Sequence, residues 1–252
     1  MKVLIGYNGL IGSTISNFEK FDYYFNSKNI QDFEKFIPNN SELFLCCLSA
    51  KKWIVNQNIN DDIDNIYKIY KILTSKVYSK ITLISTIDVY SQTPLKSNED
   101  IIPKISTLNY GTNRYIFELL ISQLKTDDLK IFRLPALFNK KIKKNILFDL
   151  LNNNNLSQLN PNTTFQWYNL DNIFEDICFF NKNYPKEKIF NLFNEPIPTK
   201  YLLDYFPKLD LDYSKNNYEY DYTTKFSKSG YLSNKNKILN EIKILIDEIS
   251  SK

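Results

Sequence analysis

The sequence predicts an α/β protein, a doubly wound parallel sheet carrying a small lobe made from its C-terminal segments. Three observations predict this. Short apolar runs alternate with helical periodicity through the first half of the chain, as they do where strands and helices alternate. The chain opens on Lys2-Val3-Leu4-Ile5 and passes straight into Gly6-Tyr7-Asn8-Gly9-Leu10-Ile11-Gly12, which holds three of the five glycines among 252 residues. Average glycine usage is roughly 7%, so a chain this poor in glycine keeps it where backbone must turn tightly or pass close to something. Beyond about residue 140 the pattern changes to Asn-rich loops and aromatic clusters.

Taken in order, strands are predicted at residues 2–5, 23–25, 43–48, 81–85 and 130–134. Ile66, Tyr67, Ile69, Tyr70 and Leu73 give residues 64–73 the spacing of an amphipathic helix. Residues 115–124 are apolar nearly all round, which predicts a helix with no face turned to water. Burial of that kind suits a subunit interface in a homodimer, or packing within one monomer. A further strand is expected at 188–193, an irregular stretch at 210–228, and an amphipathic helix at 238–249 on Ile238, Leu239, Ile242, Leu245, Ile246 and Ile249. The expected division is a dinucleotide-binding core over 1–140, followed over 141–252 by a small substrate lobe with elements returning to the sheet.

Composition removes whole classes of function. A hydrophobic share of 43% and an aromatic share of 15% supply a substantial core. Histidine is absent, which excludes Ser-His-Asp and Cys-His catalysis and most zinc enzymes; no metal site is expected. Cys46, Cys47 and Cys178 show no C-x-x-C spacing and read as reduced, packing cysteines. With no apolar run of about 18 residues and no leader pattern, the chain is expected in the cytoplasm and off the membrane. A net charge of +4 is too mild to imply nucleic acid, and Lys140-Lys141-Ile142-Lys143-Lys144 reads as a solvated face.

The glycine run has a mechanical meaning. Its early glycines admit a tight turn and close passage of a pyrophosphate, its last lets a helix pack on the strand, and that helix offers free N–H groups and a positive dipole end. Gly6, Asn8, Gly9, Leu10, Ile11 and Gly12 are thus predicted to bind a dinucleotide in a Rossmann-like fold. The strand at 81–85 runs into the hydroxyls of Ser85 and Thr86 and then Ile87-Asp88-Val89-Tyr90. Some twenty residues on, Tyr110-Gly111-Thr112-Asn113-Arg114 opens the apolar helix. A tyrosine and a cation four apart share one helix face and reach one ligand.

Together with Arg133-Leu134-Pro135 and Phe190-Asn191, these motifs resemble, in order and spacing, the extended short-chain dehydrogenase/reductase family: nucleotide-sugar epimerases, dehydratases and reductases. The resemblance implies Tyr110 as acid/base, Thr86 as the hydroxyl that bonds the same substrate oxygen, and Arg114 as the cation that holds the nicotinamide ribose and lowers the tyrosine pKa. Leu48, Ser49, Ala50 and Pro135 would line the cofactor. Asp88, Tyr90, Ala136, Gln166 and Trp167 would face the substrate, with core packing as the competing reading for the aromatic residue. Gly111 would matter for its small size beside the cofactor.

The chain departs from the family where Arg114 stands for its lysine. It also departs at Ile87, which replaces the first of the two acids that dehydratases carry after the catalytic threonine, leaving Asp88 alone and disfavouring 4,6-dehydration. A ketoreductase or a 4-epimerase acting on a nucleotide sugar is expected, against the alternative of a catalytically inactive NAD(P)-binding regulatory or scaffold protein. The second strand ends without a carboxylate, so Ser27 and Lys28 favour NADP over NAD, with Asp32 as the competing carboxylate.

Overall fold

A computed structural model describes residues 1–206, 209 and 211–251. In chain order the elements are β1 (Lys2–Ile5), α1 (Leu10–Ile15), β2 (Tyr23–Phe25), α2 (Phe33–Phe36), β3 (Ser41–Leu45), α3 (Lys52–Gln57), α4 (Ile59–Leu73), β4 (Tyr78–Thr86), α5 (Tyr110–Ile121) and β5 (Leu129–Leu134). They continue as β6 (Ala136–Phe138), α6 (Ile146–Leu151), β7 (Thr163–Phe165), β8 (Trp167–Asn169), α7 (Ile173–Asn183), β9 (Ile189–Asn191), β10 (Ile197–Pro198), α8 (Lys200–Leu203), β11 (Tyr218–Glu219) and α9 (Lys235–Ser250). A six-stranded parallel sheet runs in the order β2-β1-β3-β4-β5-β9. β2 and β3 flank β1 on opposite sides, so the strand order reverses there, and ligands in open α/β sheets bind outside the carboxyl ends of strands at such a reversal.

The chain forms two compact units: one of residues 1–94, 101–133 and 173–190, the other of 95–100, 134–172 and 191–252. This partition is not a single cut at residue 140, because α7 and the start of β9 return to the sheet while the short segment 95–100 joins the second unit. The second unit holds a three-stranded sheet, β10-β7-β11, and the parallel pair β6-β8. Of the stretch expected to be irregular, Asp210 lies outside the described residues, and Tyr218–Glu219 forms β11 beside β7.

Several boundaries move for identifiable reasons. β4 starts at Tyr78, whose side chain is fully buried and whose hydroxyl donates to the Leu73 carbonyl at 2.7 Å. α5 starts at Tyr110 because the Asn109 side chain accepts from the Thr112 N–H at 3.0 Å, capping the helix. The expectation that this helix hides an apolar surface on every side is corrected. Its buried positions include Thr112, Asn113, Arg114 and Glu118, while Leu119 is 44% exposed.

Polar side chains are buried in α5 because each finds a partner inside. Arg133 on β5 grips Glu118 with two bonds, Nε to Oε1 at 3.0 Å and Nη2 to Oε2 at 2.6 Å. Ser85, near the end of β4, donates to Glu118 Oε1 at 2.5 Å, and Arg133 Nη1 donates to the Tyr90 hydroxyl at 2.6 Å. Both charged side chains are almost completely buried, at 1% and 3% exposure. Breaking such a pair from one side leaves a bare charge in the core and costs about 3–5 kcal/mol. Glu118→Ala is therefore expected to lower the free energy of unfolding by about 3–5 kcal/mol, and Glu118→Leu combined with Arg133→Met to recover much of it. Urea denaturation of the variants measures both, and a single-variant loss below about 1 kcal/mol would refute the importance of the pair.

Candidate active site

At the reversal point β1 ends in Gly6, whose φ of +95° is one that L side chains rarely adopt. A Cβ on Gly6 would overlap the Cys46 carbonyl, and one on Gly12 would overlap the Gly6 carbonyl. The turn is thus pressed against the end of β3 on one side and its own helix on the other. Its outward side, Asn8 and Gly9, is exposed, and Leu10 and Ile11 are half-buried. α1 begins immediately after, with Gly9 in extended backbone at its cap.

Beside this turn lies a cavity of about 530 Å³. Ile5, Asn26, Ser27, Cys47 and Ile69 line it, with Lys68, Lys71 and Glu34 contributing charge. Ser27 faces the cavity as expected from sequence. Lys28 does not line it; exposed, it donates its backbone N–H to the Asn26 side chain at 2.8 Å in a tight turn. Glu34 was not anticipated, and neither were Asn65 and Lys68, which line the cavity with Ile69 and Ile72 at the helical spacing of one α4 face. Burial pushes the Cys47 thiol up to about 12 and raises that of Cys46 as well, so neither is a nucleophile at neutral pH.

Tyr110, Thr86, Arg114 and Asp88 all fall in the first unit. Tyr110 is 7% exposed, and its N–H donates to the Asn56 side chain at 2.8 Å, a partner with no sequence signal. Arg114 places its guanidinium 4.5 Å from the Tyr110 ring centroid. It is held by Asp62 on α4 through Nη1 to Oδ2 at 2.9 Å and Nη2 to Oδ1 at 3.0 Å, with Nη2 also reaching the Ser49 carbonyl at 2.8 Å. Asn113 donates to the same Asp62 carboxylate at 2.8 Å. Arg114 Nε is buried and has no partner among the described residues. Leu48 is half-buried, and Ser49 and Ala50 are exposed, at the end of the β3 run.

Thr86 closes β4 and caps the short 3-10 turn Ile87–Tyr90. Its Oγ1 accepts from the Asp88 N–H at 3.2 Å and donates to Asp88 Oδ2 at 3.3 Å. Asp88 Oδ1 is in turn 2.6 Å from Lys52 Nζ at the start of α3. Lys52 is another residue the sequence did not single out. Gly111 joins the two halves of the site: a Cβ there would overlap the Asp88 carbonyl and crowd the Ser91 hydroxyl, so its small size serves packing of α5 on the 3-10 turn.

Two expectations change on these contacts. The Tyr110 pKa lies above the ordinary tyrosine value, not below it: burial dominates and Asp88 adds to it, while Arg114 and Lys52 pull the other way. Tyr90 does not present a hydroxyl to a ligand; it is fully buried, and Arg133 occupies that hydroxyl.

In the second unit Pro135 is buried and Ala136 half-buried. Ala136 pairs with Trp167 across β6 and β8. Gln166 is 1% exposed: its side chain donates to the Asn194 and Tyr222 carbonyls at 2.7 and 2.8 Å and accepts from the Tyr222 N–H at 2.9 Å. Trp167 is fully buried against Phe165. Both are thus interior ties of that unit, and the expectation of a pocket wall gives way to core packing.

The packing of Gly111 yields a direct comparison. Gly111→Ala is expected to destabilise by about 1–3 kcal/mol, the range for forcing extra atoms into a packed interior. At Gly9 an added Cβ would come no nearer than 3.3 Å to the Gly6 carbonyl, so Gly9→Ala should cost markedly less. Thermal unfolding of the two variants side by side checks the order, and equal losses would contradict it.

No protein-family model matches the chain, and no curated protein matches it. Solved structures do. MoeE5 in complex with UDP-glucose and NAD superposes with a TM-score of 0.77 at 9% identity, covering 99% of this chain and 98% of that one. A UDP-glucuronic acid 4-epimerase from Bacillus cereus, solved with a fluorinated UDP-sugar and NAD, gives 0.72 at 13% identity over 100% and 99%. A dTDP-4-dehydrorhamnose reductase from Clostridium acetobutylicum gives 0.68 at 12% over 99% and 100%. The chain is built on the same fold as these nucleotide-sugar epimerases and reductases, along nearly its full length and theirs.

Proposed function

We propose that this chain is an NAD(P)-dependent oxidoreductase or epimerase of the extended short-chain dehydrogenase/reductase type, a ketoreductase or 4-epimerase acting on a nucleotide-activated sugar. The observation that carries this reading is the grouping of Tyr110, Arg114, Thr86 and Asp88 at the carboxyl ends of the strands, next to the glycine turn at the sheet's reversal point. The bound ligands of MoeE5 and of the Bacillus cereus epimerase support it.

The residues present fit a dinucleotide. Gly6 and Gly12 leave no Cβ above the turn, the cavity beside it is lined by Ile5, Ser27 and Ile69, and the buried Nε of Arg114 lacks a partner that a ribose hydroxyl would supply. Gly6, Asn8, Gly9, Leu10, Ile11 and Gly12 would hold the pyrophosphate, and Leu48, Ser49, Ala50, Arg114 and Pro135 the remainder. A bound nicotinamide supplies the hydride chemistry. Tyr110 exchanges the proton at the substrate oxygen, and Thr86 bonds the same oxygen. Asp62 fixes the Arg114 plane against Tyr110, so the cation's place is set by α4. Because its pKa is raised, Tyr110 is protonated at neutral pH and is ready as an acid for ketone reduction.

For the cofactor, Ser27 with Lys28, and the nearby Lys68 and Lys71, favour a 2′-phosphate, against the single carboxylate of Glu34. NADP is the proposed preference. Asp88 and Ala136 remain the proposed substrate-facing residues, the protein is proposed to act in the cytoplasm in carbohydrate biosynthesis, and the exposed Leu119 on α5 and Tyr67 on α4 suit a homodimer.

Tyr110→Phe is expected to lower turnover by at least 10²-fold, the usual weight of an acid/base group, with cofactor affinity within about twofold of wild type. Absorbance at the reduced nicotinamide band over UDP- and dTDP-4-keto sugars measures the first, and calorimetry with NADP and NAD the second. Tight binding with no turnover by wild type on any sugar would favour the inactive-binder reading instead. The raised Tyr110 pKa gives a pH signature: alcohol oxidation needs the phenolate, so its rate should climb about tenfold per unit across the neutral range, while reduction stays flat. A plateau in oxidation below pH 7 would contradict it.

A further inference from the structure

The reading of Tyr110 as acid and base leaves open how its proton reaches water, and the inference that follows rests on that reading. Tyr110 is almost buried, so a proton lost or gained at its hydroxyl must travel through a neighbouring group. Arg114 cannot be that group. A guanidinium does not deprotonate in proteins, and both of its terminal nitrogens are committed to Asp62 and the Ser49 carbonyl. The charged groups set around Tyr110 are Arg114 from its own helix, Asp62 from α4 behind that arginine, Asp88 from the 3-10 turn and Lys52 from α3. The end of β4 contributes the hydroxyls of Ser85 and Thr86.

Of these, Lys52, Asp88 and Thr86 form one connected chain. The Thr86 hydroxyl bonds Asp88 Oδ2, and Lys52 Nζ bonds Asp88 Oδ1. Exposure rises along it, from 13% for the Asp88 side chain to 41% for that of Lys52, so the outer end stands in water. At the inner end, Gly111 holds the backbone of Asp88 directly against the first turn of α5 next to Tyr110.

We propose that Lys52, Asp88 and Thr86 are the proton-exchange route between Tyr110 and solvent, serving where an arginine has replaced the relay-competent lysine. In the reducing direction Tyr110 gives its O–H proton to the oxygen of the reduced substrate and becomes a phenolate. Lys52 gives one N–H proton to the Asp88 carboxylate, forming a neutral acid and a neutral amine. The acid turns about its Cβ–Cγ bond and passes the proton to Thr86 Oγ1 as Thr86 releases its own hydroxyl proton towards the phenolate. The amine of Lys52 then takes a proton from water. One proton moves from solvent to Tyr110, and no group in the route changes oxidation state.

The test compares wild type, Asp88→Asn and Lys52→Met in stopped flow, with reduced cofactor and UDP- or dTDP-4-keto-6-deoxyglucose. Cofactor fluorescence reads the hydride step and a pH indicator reads proton uptake. The route predicts that the ratio of steady-state to first-turnover rate falls tenfold or more in both variants, with proton uptake lagging behind hydride transfer. Imidazole and methylamine buffers should restore turnover in proportion to their concentration, a response that mere loss of packing would not give. Variants whose ratio and proton uptake match wild type, or whose loss is indifferent to buffer, would overturn the route while leaving the functional reading intact. A wild type that transfers no hydride, with Tyr110→Phe no different, would overturn the functional reading and the route with it.

Discussion

The buried pair of Arg133 and Glu118 is the interaction on which the first unit's geometry depends. It ties β5 to α5, and through Ser85 and Tyr90 it also holds the end of β4 and the 3-10 turn that follows. Those two places carry Thr86 and Asp88. A buried ion pair is weak evidence of stability, since desolvation offsets most of its Coulomb energy. What it contributes is register: the two parallel bonds between a planar guanidinium and a carboxylate fix α5 along the sheet to within a fraction of a helical turn. Tyr110 stands two turns before Glu118 on that helix, so its position follows from the pair.

A second bidentate pair repeats the device one layer away. Asp62 orients Arg114, and Asn113 adds a third bond to the same carboxylate. α4 and α5 are thus locked together by charge on the side where α5 meets the strand ends, although their sequences read as helices packing through apolar faces. The consequence for chemistry is that the Arg114 charge is shared with Asp62. A tyrosine beside a shared charge and inside a desolvated pocket keeps its proton, which explains the upward direction of the Tyr110 pKa. Lysine and arginine are therefore not equivalent at this position, for geometric as well as chemical reasons.

The glycines divide by the same logic. Gly6 and Gly12 lie where the backbone of the turn touches β3 and itself, and Gly111 lies where α5 touches the 3-10 turn. In each case the neighbour is a main-chain carbonyl, which cannot rotate away as a side chain could. A chain with very few glycines has kept them at backbone-to-backbone contacts. Close contact at Gly111 also sets how near Asp88 comes to Tyr110, which links packing of the fold to electrostatics of the site.

Much of the fold was legible in the sequence. β1 and β2 are found at the predicted residues, and the glycine turn, the α5 start at Tyr110 and the C-terminal helix follow from local patterns of apolar spacing, capping and turn chemistry. These are short-range properties, set by neighbours in the chain. The candidate site was only partly legible. Thr86, Tyr110 and Arg114 could be named because strand ends and helix starts leave local signals. Their partners could not: Asp62, Lys52 and Asn56 lie 52, 36 and 54 residues away from the atoms they bond. Tyr90 and Gln166 read as ligand-facing because they are polar, and they turned inward because Arg133, Asn194 and Tyr222 satisfy them there. By itself the sequence determined the order of strands and helices and the residue types at their ends. Only the tertiary structure decided which polar groups are spent on each other, because a hydrogen bond inside the core depends on what folding brings alongside and leaves no periodicity in the chain.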